Sequence, residues 1–272
     1  VLRDPTKPVS NFHTIQASIP RFERDGLRYV TVKSEALGHR ADLSIFLPEA
    51  EERNLPLVIL LHGIYSSHWG WSYCAGAHRT AARLIAEEVI PPLVLAMPSD
   101  GLWGDGSGYF AHHGRDFDRW IVDEVPVATR EAGAPVSDRS PCFIAGLSMG
   151  GFGALSLGAR FGEKFGAISA HSSVTDLREL DKVVEESLLS GPRPEGDFEV
   201  LQTLITNREK LPPTRFDCGL DDPLLSANRE LHRSLEKSGI EHVYEEFSGG
   251  HEWSYWERHL VDTLCFFAEH LR

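Results

Sequence analysis

Apolar residues in this chain gather in short unbroken runs, and helical patterns fill the stretches between them. Leu57-Val58-Ile59-Leu60-Leu61 is one such run, with Pro56 just outside it, where a proline costs no central ladder bond. Leu93-Val94-Leu95-Ala96-Met97, Phe143-Ile144-Ala145 and Phe165-Gly166-Ala167-Ile168-Ser169-Ala170 are others. Helices are expected over 77–89, stopped by Pro91-Pro92, over 116–132 with a break near Pro126, and over 149–161. Runs buried on both faces and separated by helices predict a mostly parallel sheet covered on both sides. Upstream, residues 27–34 and 41–47 alternate polar with apolar, as antiparallel strands at a sheet edge do.

The rhythm breaks over 172–213, which contains the turn-rich run Gly191-Pro192-Arg193-Pro194-Glu195-Gly196 and no strong strand. It is expected to form a cap-like insertion over one end of the sheet, within a single α/β domain. A strand at 214–218, a helix at 224–238, a strand at 242–247 and an amphipathic helix at 254–271 complete the pattern.

Charge narrows the classes of partner. The 272 residues carry 27 Lys and Arg against 40 Asp and Glu, a formal net charge of −13. That field repels phosphate backbones and anionic headgroups, which disfavours nucleic acid and membrane surfaces as partners. No apolar run approaches the roughly 20 residues of a membrane span. Val1-Leu2-Arg3-Asp4-Pro5 lacks the apolar core of a signal peptide, which points to a cytoplasmic protein. The chain does not begin with Met, so a removed leader stays open. Cys74, Cys142, Cys218 and Cys265 are too scattered for a zinc site or a disulfide framework. Cys142 is expected as a buried free thiol; one bridge among the other three stays open.

Gly146-Leu147-Ser148-Met149-Gly150 matches G-x-S-x-G, and its context matters more than its letters. It follows a predicted buried strand and opens a helix rich in small residues, as a nucleophile elbow does. A serine hydroxyl is a weak nucleophile and needs a base, which an acid must orient. In chain order the acid and then the histidine follow the serine. His251, in Ser248-Gly249-Gly250-His251-Glu252-Trp253, lies in a loop between the last strand and the last helix and fits best. His232 and His259 are expected at helix surfaces, and His171 is a lesser rival. Asp217, Asp221 and Asp222 compete for the acid; loop position puts Asp222 ahead of Asp221. The oxyanion donors are expected to be the backbone N–H groups of Met149 and of Ile64, in the loop His62-Gly63-Ile64-Tyr65. His62 is expected to shape that loop.

These motifs, with Cys218-Gly219-Leu220-Asp221-Asp222 and Gly250-His251-Glu252-Trp253, resemble the esterase D-type branch of the α/β-hydrolases. That branch includes S-formylglutathione hydrolases, feruloyl and acetyl esterases, tributyrin esterases and mycolyltransferases. The resemblance spans roughly residues 27–270, with the motifs in the family's order. It implies an α/β-hydrolase fold, places the acid at the last residue of Cys-Gly-x-x-Asp (Asp222), and puts the oxyanion donors at Ile64 and Met149.

The glycine-rich loop at 99–110 follows the carboxyl end of a predicted strand, where ligands bind in such sheets. Its aromatics Trp103, Tyr109 and Phe110, with Trp69 and Trp71, are candidates to line an acyl or alcohol pocket. Asp100 and Asp105 do not match a calcium loop, so no metal is expected, and the triad chemistry calls for no cofactor. His112-His113 is assigned no chemistry. The expected function is a serine carboxylesterase acting on small-molecule esters with short acyl groups, through an acyl-enzyme. Thioester hydrolysis, acyl transfer and a non-catalytic binding protein are the alternatives, and a homo-oligomer is compatible with the sequence.

Overall fold

A computed structural model of the chain describes residues 12–189 and 198–271. The first eleven residues and the turn-rich run at 191–196 lie outside the described residues.

The strands are β1 (Ile15–Ala17), β2 (Leu27–Lys33), β3 (Arg40–Phe46), β4 (Leu57–Leu61), β5 (Val94–Pro98), β6 (Cys142–Leu147), β7 (Ile168–His171), β8 (Thr214–Gly219) and β9 (Val243–Phe247). They form one sheet in the order β1-β2-β3-β5-β4-β6-β7-β8-β9. The first three strands and the β3–β5 pair are antiparallel; every pair from β5 to β9 is parallel. Parity along β4 shows why its sequence reads as one apolar run. Leu57, Ile59 and Leu61 enter the core on one face of the sheet, and Val58 and Leu60 enter the core on the other. Each such burial contributes roughly 1.5–3 kcal/mol.

The helices are α1 (Gly70–Tyr73), α2 (Ala77–Ala86), α3 (Phe117–Arg119), α4 (Val125–Glu131), α5 (Met149–Arg160), α6 (Leu177–Leu180), α7 (Val200–Thr206), α8 (Leu225–Lys237) and α9 (Trp253–Glu269). The break expected near Pro126 is a π-helical turn, Trp120–Glu124, that joins α3 to α4. Proline has no N–H to donate, and the wider turn absorbs the missing bond. Within 172–213, α7 packs against α5 and α8, with Val200 and Leu204 in the core.

From β4 the chain moves to β5 on one side and then crosses to β6 on the other. This reversal is a topological switch point, and ligands bind in such sheets beyond the carboxyl ends of the strands. The loops after β4, β5, β6, β8 and β9 leave from that edge. Among the described residues no helix is long and apolar enough to cross a membrane.

Candidate active site

β6 ends at Leu147, and the chain turns straight into α5 through Ser148, whose φ of 55° and ψ of −118° lie outside the common regions for a side chain. Two glycines make that turn sterically feasible. A Cβ at Gly146 would meet the Gly150 carbonyl oxygen at 2.1 Å, and one at Gly150 would meet the Leu61 carbonyl oxygen at 2.3 Å. The strain is held by hydrogen bonds: Ser148 N–H donates to the His171 carbonyl (3.0 Å), and the Ser148 carbonyl accepts from Phe152 and Val174 (3.1 Å each).

The hydroxyl so presented lies 3.0 Å from His251 Nε2. On the far side of the ring, Nδ1 lies 2.9 Å from Asp222 Oδ2. Oδ1 of the same carboxylate accepts from Leu224 N–H at 2.8 Å. Burial works to raise the Asp222 pKa, but hydrogen bonds from His251, Leu224 N–H and the Ser172 hydroxyl outweigh it and hold the carboxyl below its ordinary value. Trp256 meets the His251 ring edge-on at 5.0 Å and donates its indole N–H to Ser172 Oγ (3.3 Å). The arrangement can draw a proton from Ser148 through a histidine whose cationic form faces a carboxylate. Asp221, the rival acid, is exposed, and its N–H donates to the Gly249 carbonyl.

Gly63 lies against the elbow, where a Cβ would come within 3.3 Å of Ser148 Cβ and 3.7 Å of its Oγ. This brings the next residue, Ile64, to the mouth of the elbow, while Met149 is the first residue of α5. Gly106 packs over both: a Cβ there would meet Met149 Sδ at 2.5 Å and Ile64 Cγ2 at 3.2 Å. His62 shapes this loop as expected. Its Nδ1 donates to the Gly63 carbonyl (2.7 Å), while Nε2 accepts from Asp100 N–H (3.1 Å). Burial pushes the His62 pKa down against the pull of Asp100, in keeping with a neutral ring.

The aromatic candidates separate. Trp71 is 1% exposed and donates its indole N–H to the Leu61 carbonyl, so it belongs to the core and not to a pocket wall. Tyr109 is as deeply buried; its hydroxyl donates to the His62 carbonyl, and its ring fills the space left by Gly153. Phe110 is also buried, beside a small cavity of about 110 Å³ bordered by Asp118, Ser156 and Thr203. All three rings are buried behind the loops, and the polar tips of Trp71 and Tyr109 are hydrogen-bonded inside. Trp69 is 43% exposed at the start of α1, and Trp103 is half-buried against His112 and His113.

One histidine, His259, differs from expectation. It is buried, stacked on Phe247 at 4.1 Å and bonded to Asp262, because α9 turns that side toward the sheet. His171 is buried with Asp217 (3.0 Å) and Thr263 (2.9 Å), and Arg215 Nη1 lies 2.9 Å from the same Asp217 carboxylate. This ionic cluster under the elbow has no local sequence signal; its members come from β7, β8 and α9. Ser172 and Trp256 were likewise missed, although Trp256 stands one helical turn beyond the Gly-His-x-Trp motif. All four cysteines are free, and burial pushes the Cys142 thiol up to about 12. Among the described residues no group of His, Cys, Asp or Glu is placed to hold a metal ion.

Comparisons with known proteins bear on the fold and on the class of reaction. An acetyl esterase from Caldicellulosiruptor saccharolyticus is 29% identical over 238 residues, 80% of this chain and 85% of that protein. A ferulic acid esterase structure superposes with a TM-score of 0.77 at 22% identity, covering 95% of this chain and 100% of that one. The S-formylglutathione hydrolase of Staphylococcus aureus gives 0.74 at 19% identity, over 94% and 99%. At such identities the structural likeness shows the fold, that of the α/β-hydrolases. The sequence model of the Esterase family, described as "Putative esterase", matches residues 34–267. With nearly its whole described length inside that match, the chain belongs to the Esterase family, in the esterase D-type branch of the α/β-hydrolases, and is a carboxylic-ester hydrolase.

Proposed function

We propose that the protein hydrolyses short-chain acyl esters through an acyl-enzyme formed on Ser148. The observation that carries this reading is the continuous relay from Ser148 Oγ to His251 Nε2 (3.0 Å) and from His251 Nδ1 to Asp222 Oδ2 (2.9 Å). Ser148 Oγ attacks the ester carbonyl as His251 Nε2 takes its proton, and the Asp222 carboxylate holds the imidazolium that forms. The N–H groups of Ile64 and Met149 receive the developing oxyanion. Collapse of the tetrahedral intermediate releases the alcohol, which takes the proton from His251. Water, activated by the same histidine, then frees the acid. The residues that do this chemistry all come from the chain.

Within this reading the chain forms one domain with 172–213 as its cap-like insertion, and Trp69 and Trp103 border the substrate. The preference for acetyl to butyryl groups is supported by the acetyl esterase relative. The test is a hydrolysis panel from acetyl to palmitoyl esters, with feruloyl esters and S-formylglutathione, run on the wild type and on Ser148→Ala. The expected result is highest kcat/KM on acetyl to butyryl esters, with at least a thousandfold loss of kcat in the variant. A palmitoyl ester outrunning butyryl, or Ser148→Ala keeping more than about a tenth of kcat, refutes it.

A further inference from the structure

We infer that Asp105 is a positioning residue for the oxyanion hole, coupling the segment 183–186 to the peptide planes on either side of Ile64. The inference rests on the proposed role of Ile64 N–H, and that N–H direction depends on two neighbouring peptides. The Gly63–Ile64 plane contains the N–H itself, and its other end, the Gly63 carbonyl, accepts from His62 Nδ1 at 2.7 Å. His62 is in turn set by the Asp100 N–H on its Nε2, at 3.1 Å. The following plane, Ile64–Tyr65, is set by Tyr65 N–H donating to the Asp105 carbonyl at 2.9 Å. Tyr65 has a φ of 61°, a left-handed conformation that needs such an anchor. Both anchors therefore come from one loop, after β5, at Asp100 and at Asp105.

The two ends of that loop are fastened differently. Asp100 is buried and self-contained: its carboxylate accepts from Leu102 N–H (2.9 Å) and Ser107 N–H (2.6 Å). Asp105 is half-buried and depends on the segment across from it. Its Oδ2 accepts from Glu185 N–H at 2.9 Å, and its own N–H donates to Glu186 Oε2 at 3.1 Å. Tyr65 adds a parallel tie, its hydroxyl donating to the Val183 carbonyl at 2.5 Å. The Asp105 side chain thus carries no chemistry, yet it fixes the acceptor that orients the Ile64–Tyr65 peptide. Gly106, next in sequence, leaves no room for a Cβ beside the Met149 and Ile64 side chains, so a shift at Asp105 is passed toward both proposed donors.

The experiment compares Asp105→Ala, Asp105→Asn and Glu186→Ala with wild type on a butyryl ester. Each rate is normalised to the serine titrated by a fluorophosphonate, and affinity is measured for a trifluoromethyl ketone that forms a tetrahedral oxyanion adduct. Deleting one oxyanion donor costs about 10²–10³ in rate, and a displaced donor costs less. Asp105→Ala is therefore expected to lower kcat per titrated serine by about 10–50-fold, with KM within about threefold. The ketone should weaken by the same factor as kcat/KM. Asp105→Asn keeps an acceptor for Glu185 N–H and should stay within about threefold of wild type, and Glu186→Ala should fall between the two. The inference is overturned if kcat per titrated serine is unchanged in Asp105→Ala. It is equally overturned if the loss lies in KM or in the fraction of titratable serine alone, or if Asn is as impaired as Ala. A wild-type chain with no turnover would defeat the esterase reading itself, whereas normal wild-type turnover with an unaffected Asp105→Ala defeats the positioning role alone.

Discussion

Replacing Asp222 by asparagine changes one atom of the carboxylate and tests which group orients His251. Both oxygens are in use: Oδ2 faces His251 Nδ1, and Oδ1 accepts from Leu224 N–H. An amide has one acceptor oxygen for these two donors and for the Ser172 hydroxyl that also bonds the carboxylate. Leu224 N–H cannot change its role, whereas a neutral imidazole can switch tautomers, so the amide oxygen should settle on Leu224. The NH₂ group then faces Nδ1, which must become an acceptor, and the proton moves to Nε2, pointing at Ser148. The base is lost with its geometry intact. The expected fall in kcat is about 10⁴-fold, or about 5 kcal/mol of barrier. Stability should change by no more than about 1 kcal/mol, since one hydrogen bond is kept and another reformed. Asp221→Asn, on an exposed side chain one residue away, should cost less than about tenfold. Steady-state kinetics per titrated serine, with thermal melts of both variants, decide the matter. If Asp221→Asn is the crippled enzyme and Asp222→Asn turns over normally, the orienting acid is misassigned.

Other changes test the surroundings of the relay. Gly150→Ala forces a Cβ to 2.3 Å from the Leu61 carbonyl oxygen, a backbone atom that cannot step aside, so melting temperature and fluorophosphonate labelling should both drop; an unchanged melt and rate would contradict the close approach. Arg215→Met removes the guanidinium 2.9 Å from buried Asp217 and should destabilise by about 3–5 kcal/mol, seen as a lower urea midpoint; a midpoint equal to wild type would show that the pair contributes nothing. The depressed pKa of Asp222 stabilises the fold fully above its unfolded value of about 3.9, and that contribution is lost as pH falls through the lower folded value. Below about pH 4 the wild-type urea midpoint should therefore fall more steeply than that of Asp222→Asn, and parallel curves would refute the shift.

The central strands were legible in the sequence because a strand buried on both faces must be apolar at every position, as β4 and β5 are. Ser148 was legible because a strand-to-helix elbow needs glycines at 146 and 150 where backbones nearly touch. His251 followed from chain order and its loop after the last strand. Asp222 was harder, since adjacent loop residues differ in direction and not in local pattern; its bond to His251 joins positions 29 residues apart. Burial of Trp71, Tyr109 and His259 depended on what packs over each loop or helix, which a local window does not contain. The contacts of Asp105 with Tyr65, Glu185 and Glu186, and those of Asp217 with His171, Arg215 and Tyr255, link separate strands, loops and helices. Sequence alone determined that the chain has the residues for esterase chemistry, because the proposed nucleophile, base and acid must be particular residue types at the ends of strands. Tertiary structure alone decided how those groups are held, because hydrogen bonds and packing act across space between segments that share no local pattern.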